Sequence, residues 1–189
     1  MLTLYLTRHG ETMENASGIL QGQSAGHLND TGKRQAMELR DSLANEKFDS
    51  FISSDLRRAL DTANIVNEVF RMKIFATPLL RERDWGEYTG IKVEDIHADP
   101  DFFPESVEGP VRLTRRAADF VTFLARHFDG QRVLAMGHGY FNRCVVAFLE
   151  QKKISEVPRW GNTEVRVLKV DKDNLPKITK AADAHASAD

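Results

Sequence analysis

The stretch Leu2-Thr3-Leu4-Tyr5-Leu6-Thr7-Arg8-His9-Gly10-Glu11-Thr12 decides the fold. Leu2, Leu4 and Leu6 alternate with Thr3, Tyr5 and Thr7, the period of two that belongs to a pleated chain. The run stops on a cation, an imidazole and a glycine, so the strand carries Arg8 and His9 to the rim of a sheet. Gly10 is expected to let the backbone turn sharply there without a Cβ clash. Far away in sequence, Gln131-Arg-Val-Leu-Ala-Met136 is another apolar run, and it ends in Gly137-His138-Gly139. Ligands of open α/β sheets sit beyond the carboxyl ends of the strands. If the two strands are neighbours, His9 and His138 face one pocket.

Outward from that stretch, strands and helices alternate. Residues 13–30 are polar and glycine-rich and read as a long loop, of the kind that often carries function. Ala36, Leu39, Leu43 and Ala44 give a helix over 31–44, with Asn29, Asp30 and Thr31 as cap candidates. Residues 48–53 read as a strand. Ser53-Ser54-Asp55 then offers caps for a helix over 56–70, whose first turn holds Arg57 and Arg58. Cations there oppose the helix dipole, a conflict that a bound anion would offset. Residues 73–77 read as a strand ended by Pro78, and 79–90 as a loop. A short helical piece at Lys92–His97 follows, in a segment broken by Pro100, Pro104 and Pro110. A helix over 111–128, one over 141–151 and a strand over 162–170 complete the pattern. This alternation predicts a three-layer α/β fold: a mostly parallel central sheet, helices on both faces, and a small cap insertion at about 84–110. Residues 1–179 read as one catalytic domain and 180–189 as a flexible tail.

Bulk properties limit the possible partners. A length of 189 residues fits one domain, and a net charge of −2 gives no global field for nucleic acid or an anionic membrane. No apolar run reaches the roughly 18 residues of a membrane span, and a cytoplasmic location is expected. The single cysteine, Cys144, excludes an intrachain disulfide and reads as a buried thiol. His27, His127 and His185 read as surface or helix-end residues. His97 with Asp99 and Asp101 makes a weak cation site at most, and no metal or other cofactor is expected.

The rim residues are Arg8, His9, Arg58, Glu82 and His138. Phosphoryl transfer needs cations around the non-bridging oxygens, an in-line nucleophile and a proton donor for the leaving group; this set holds all three. No Gly-x-Ser-x-Gly elbow or P-loop competes with that reading.

The motifs together resemble the histidine phosphatase superfamily, the phosphoglycerate mutase-like proteins. Arg8-His9-Gly10-Glu11-Thr12 with Asn15 and Gln21-Gly22 is similar to its signature. Ser53-Ser54-x-Leu56-x-Arg58-Ala59-x-x-Thr62-Ala63 is similar to its second arginine motif. Leu80-x-Glu82 before Trp85-Gly86 resembles the segment with the acid, and Gly137-His138-Gly139 the second histidine. The resemblance runs from about residue 2 to 170 and implies roles. His9 would become phosphohistidine. Arg8, Arg58 and His138 would clamp the phosphoryl oxygens. Gly10, Glu11, Thr12, Asn15, Gln21, Gly22 and Gly139 would bind substrate. Glu82 would protonate the leaving alkoxide and then activate water.

In the loop after Gln21-Gly22 the chain departs from the family pattern, with Ala25, His27-Leu28 and Asn29 at the matching positions. The cap is short for a mutase, so the resemblance favours a phosphatase of small phosphorylated substrates. A phosphoglycerate mutase and a non-catalytic phospho-ligand binder are the alternatives, and the oligomeric state is left open.

The cap adds an expectation about substrate. Residues 84–110 hold eight acids, Asp84, Glu87, Glu94, Asp95, Asp99, Asp101, Glu105 and Glu108, against one base, Lys92. Trp85, Tyr88, Phe102, Phe103 and Tyr140 are available to face a leaving group. Monophosphates with neutral, aromatic or cationic leaving groups are therefore expected to be preferred over bisphosphates.

Overall fold

The computed structural model of the chain describes residues 1–96 and 103–177. His97, Asp99, Asp101, Phe102, His185 and the tail at 180–189 lie outside the described residues. Five strands form one sheet: β1 (Leu2–Arg8), β2 (Ser50–Ser54), β3 (Ile74–Thr77), β4 (Arg132–Gly137) and β5 (Val165–Val170). Their order is β3-β2-β4-β1-β5. All pairings are parallel except that of β5, which runs antiparallel to β1 on the far edge. Arg8 pairs with Gly137, so His9 and His138 leave adjacent strands at the same edge.

Helices cover both faces. Leu2, Leu4, Leu6, Val133 and Ala135 pack with α4 (Pro110–His127) and α5 (Gly139–Glu150) through Leu113, Phe120, Leu124, Phe141 and Val145. Phe51, Leu134 and Met136 pack on the other side with α2 (Asp30–Leu43) and α3 (Arg57–Asn67) through Leu39, Leu43, Ala63 and Val66. Strand β4 is thus buried on both faces, which is why it reads as an unbroken apolar run rather than an alternation. Truncating a core leucine such as Leu134 to alanine costs about 2–5 kcal/mol in such settings.

Several local expectations change. The segment 13–30 is not plain loop. A short helix, α1 (Met13–Ala16), is closed by a capping box between Thr12 and Asn15, and bridges tie Thr12 to Leu28 and Ile19 to Lys92. Neither Ser53 nor Asp55 caps α3. Its N-cap is Leu56, without a side-chain bond; Ser53 turns to the Ser54 carbonyl, and Asp55 is drawn into a bidentate pair with Arg81. Pro110 does not break structure but opens α4 at the first helical position, where its missing N–H is not needed. The helical piece near Lys92 is a single 3₁₀ turn, Val93–Asp95.

Gly10 has a different reason from the one expected. Its φ is not in the left-handed region; instead, an added Cβ would stand 2.5 Å from the Gly32 carbonyl oxygen of α2. The glycine allows close backbone approach between the rim and α2.

Candidate active site

His9 is 2% exposed and held at both ring nitrogens. Its Nδ1 lies 2.6 Å from the Gly10 carbonyl, and Arg58 Nε lies 3.2 Å from its Nε2. A carbonyl only accepts and an arginine only donates, so Nδ1 carries the proton and Nε2 keeps its lone pair. Burial, with Arg58 and then Arg8 adding to it, holds the His9 pKa well below the usual 6.5. The ring is neutral at physiological pH, with its basic nitrogen accepting from Arg58.

Arg58 splits from its neighbour Arg57. Arg57 is exposed and pairs with Asp61 one turn on. Arg58 is buried, and its Nη1 and Nη2 donate to the carbonyls of Ser24 and Gly22 at 2.7 and 2.8 Å. Burial lowers its pKa to about 10, still far above neutrality. Arg8 donates from Nη1 to the Trp160 carbonyl at 2.6 Å, while its buried Nε has no partner among the described residues. A Cβ on Gly139 would stand 3.2 Å from that Nε, so the glycine keeps the space beside it open.

His138 is fully buried, with its ring centroid 5.1 Å from that of His9. Its Nε2 meets Ser54 Oγ at 2.8 Å, and its Nδ1 is a second buried atom without a partner. Ser54 Oγ also accepts from the Leu56 N–H at 3.3 Å. Burial first, then the charge of Arg58, keeps this imidazole neutral as well, its pKa well below 6.5. Buried polar atoms such as Arg8 Nε and His138 Nδ1, without a partner among the described residues, are costly unless a ligand completes them.

Glu82 stands across the site. Its Oε2 accepts from the Tyr140 N–H at 3.1 Å; its Oε1 accepts from Phe141 and Arg83 at 3.0 and 2.8 Å. The open N-terminus of α5 therefore fixes the carboxylate. A cleft of about 550 Å³ has Arg8, His9, Asn15, Gln21, Gly22, Arg58, Glu82 and Gly139 in its lining. Gly10, Glu11, Thr12 and His138 are not in that lining. Glu11 and Thr12 bond instead to Gln35, Asn29 and Asn15 and brace the loop.

The support residues were not legible as such. Thr62 Oγ1 accepts from the Gly10 N–H, Asn142 bridges the His138 N–H to the Thr7 carbonyl, and Asn162 donates to the His9 carbonyl. A polar Asn142 four residues after His138, inside an apolar helix face, was the available signal.

The outer chamber corrects the expectation drawn from the cap. Trp85, Tyr88, Phe103 and Tyr140 do line it, but none of the described cap acids does. Glu108 pairs with Arg116, Glu87 with Ser106, Glu94 with Lys92, and Asp84 with the Gly86 N–H. Cations reach the chamber from elsewhere: Arg143 from α5 and Arg159 from the loop before β5. The described acids of the cap therefore do not disfavour a second anion there. Arg83, buried behind this wall, stitches it together with its Cζ 4.3, 4.5 and 5.1 Å from the rings of Trp85, Phe103 and Tyr140.

Among the described residues no group of three or more His, Cys, Asp or Glu is placed to hold a metal ion, and no helix is long and apolar enough to cross a membrane. Cys144 is buried, its thiol pushed up to about 12 by that burial.

The sheet edge thus gathers two buried histidines, the buried Arg58, the half-buried Arg8 and a carboxylate. The model of the histidine phosphatase superfamily, branch 1, matches residues 4–183, and the chain belongs to that superfamily, as one of its phosphatases. It is 32% identical over 140 residues to the uncharacterized phosphatase PhoE of Bacillus subtilis, spanning 74% of this chain and 72% of that one. It is 31% identical to a metal-independent phosphoserine phosphatase of Arabidopsis thaliana, over 87% of this chain and 75% of that one. The solved structure of Bacillus stearothermophilus YhfR superposes with a TM-score of 0.82 at 27% identity, covering 90% and 92% of the two chains.

Proposed function

We propose that the chain is a metal-independent phosphomonoesterase of small phosphate monoesters that works through a phosphohistidine on His9. The observation that carries this reading is a neutral His9 that lines one cleft with Arg8, Arg58 and Glu82, while Arg8 Nε and His138 Nδ1 are buried without a partner among the described residues. His9 Nε2 attacks phosphorus as the ester oxygen departs in line. Arg8, Arg58 and His138 hold the non-bridging oxygens, and their charge and donors are present before the transition state forms. Glu82 then gives its proton to the leaving oxygen and takes one from the water that cleaves the phosphohistidine. Asn15, Gln21, Gly22 and Gly139 contact the substrate, while Gly10, Glu11 and Thr12 act through the loop they brace. Residues 1–179 serve as one catalytic unit, with 84–110 as its cap.

The relatives' names support the reading in part: one is named for phosphoserine and for independence from metal. The test is release of inorganic phosphate from p-nitrophenyl phosphate with a chelator present, beside a mutase assay. Glu82→Gln adds the mechanism. It is expected to slow alkyl phosphates far more than p-nitrophenyl phosphate, whose leaving group needs little protonation. Equal losses on both substrates would remove Glu82 from the acid role.

A further inference from the structure

Among the described residues the lining of the cleft is one-sidedly basic, a feature that hydrolysis of a simple monoester does not use. Glu82 is the single acid in that described lining, and Arg143 and Arg159 stand there in addition to Arg8 and Arg58. Neither outer arginine belongs to an ion pair among the described residues; the arginine pairs nearby are those of Arg116 and Arg166.

Arg143 is built in rather than loose. It rises from the first turns of α5, with Nε donating to the Val157 carbonyl at 2.9 Å and Nη2 to the Ile154 carbonyl at 2.6 Å. Two of its three nitrogens are thus fixed, and Nη1 is left over. A fixed guanidinium loses little rotamer entropy when it meets an anion. Arg159 is exposed and lies in the loop that follows, next to Trp160, whose carbonyl holds Arg8. One loop therefore sets the outer cations and an inner one. Trp85, Tyr88, Phe103 and Tyr140 give the chamber an aromatic wall.

We propose that Arg143 and Arg159 form a second anion subsite, which takes a negatively charged terminus on the leaving group. The substrate class is then a phosphate monoester whose leaving group has an apolar or aromatic body and an anionic end, a carboxylate or a second phosphate. The proposal rests on the phosphatase reading only in taking the inner pocket as the phosphoryl site.

The test uses non-hydrolysable phosphonates, so it is read by binding and not by turnover. Isothermal titration compares 3-phosphonopropanoate and (4-carboxybenzyl)phosphonate with their carboxamides, and adds 1,4-xylylene bisphosphonate to separate carboxylate from phosphate recognition. In the wild-type chain at least one anionic member is expected to bind about tenfold more tightly than its neutral partner, as a charge-assisted contact would give. That ratio is expected to shrink as salt is raised. In Arg143→Met/Arg159→Met it is expected to fall to about one. The ratio is read within each protein, so a general loss of affinity does not mimic the effect. Should removal of Arg143 disturb the loop it ties, the exposed Arg159→Met alone is expected to lower the ratio. Equal affinities in the wild-type chain, a preference that survives in the double variant, or no binding by any phosphonate would overturn the subsite. Hydrolysis of p-nitrophenyl phosphate reports separately on the phosphatase reading.

Discussion

The inner pocket and the outer chamber of one cleft are built differently. In the inner pocket four groups are held by backbone, His9 by the Gly10 carbonyl, Arg58 by Gly22 and Ser24, Arg8 by Trp160, and Glu82 by three N–H groups, while His138 meets the Ser54 hydroxyl. In the outer chamber a stack of rings around Arg83 forms one wall, and Arg159 reaches it from an exposed loop. A fixed inner frame suits a transition state whose charges recur in every substrate. A wall of side chains suits a leaving group that differs from one substrate to the next.

If that contrast is right, changes to the inner frame act on catalysis of every substrate. The largest effect is expected for Arg58→Ala, with a fall of ~10² or more in kcat/KM for alkyl and aryl phosphates alike. It removes a charge contact and also frees the carbonyls of Gly22 and Ser24. A loss confined to one substrate would move Arg58 from the inner frame to the outer wall.

Next comes pH. His9 and His138 are both held neutral in the folded state, with pKa values well below 6.5. As pH falls below 6.5 the unfolded chain takes up protons that the folded one does not. Stability is therefore expected to fall with pH in that range, by up to about 1.4 kcal/mol per pH unit for each histidine. Urea unfolding at pH 7 and pH 5 measures it, and an unchanged or higher stability at pH 5 would show that the pair is not buried neutral. The smallest effect is expected for Ser54→Ala, about tenfold in kcat/KM, as a misplaced proton rather than a lost group. Ser54→Thr is expected to restore most of the rate, and the ¹⁵N shifts of His138 should change tautomer in the alanine variant alone.

The same contrast separates what was legible in the sequence from what was not. The inner frame sits at strand and helix ends, where the period-two run of Leu2, Leu4 and Leu6 and the apolar run before Gly137 announce the strands, and parallel pairing brings their ends together. Five motifs then needed only one sheet edge to meet. The support beneath them was largely hidden, because Ser54, Thr62, Asn142 and Asn162 act through bonds to segments distant in the chain, which local patterns do not encode. The capping expectation at Ser53-Ser54-Asp55 failed for a related reason, since tertiary partners, His138 and Arg81, bid for the same side chains. The cap misled because composition counts charges without directions. Four of its acids, Glu108, Glu94, Glu87 and Asp84, turn to Arg116, Lys92, Ser106 and a backbone N–H, and the cations of the chamber come from segments further along the chain. Gly10 was marked for a turn and is instead needed for contact with Gly32, a distinction visible only once α2 is in place.

The central claim is that His9 Nε2 carries the phosphoryl group. Enzyme mixed with p-nitrophenyl phosphate, quenched within the first turnovers and digested, tests it most directly. The account predicts an acid-labile, base-stable phosphate on the peptide that contains His9, none in His9→Ala, and a loss of turnover in that variant of about 10⁴ or more with the fold intact by circular dichroism. Wild-type turnover by His9→Ala, or a phosphate carried on another residue, would contradict it.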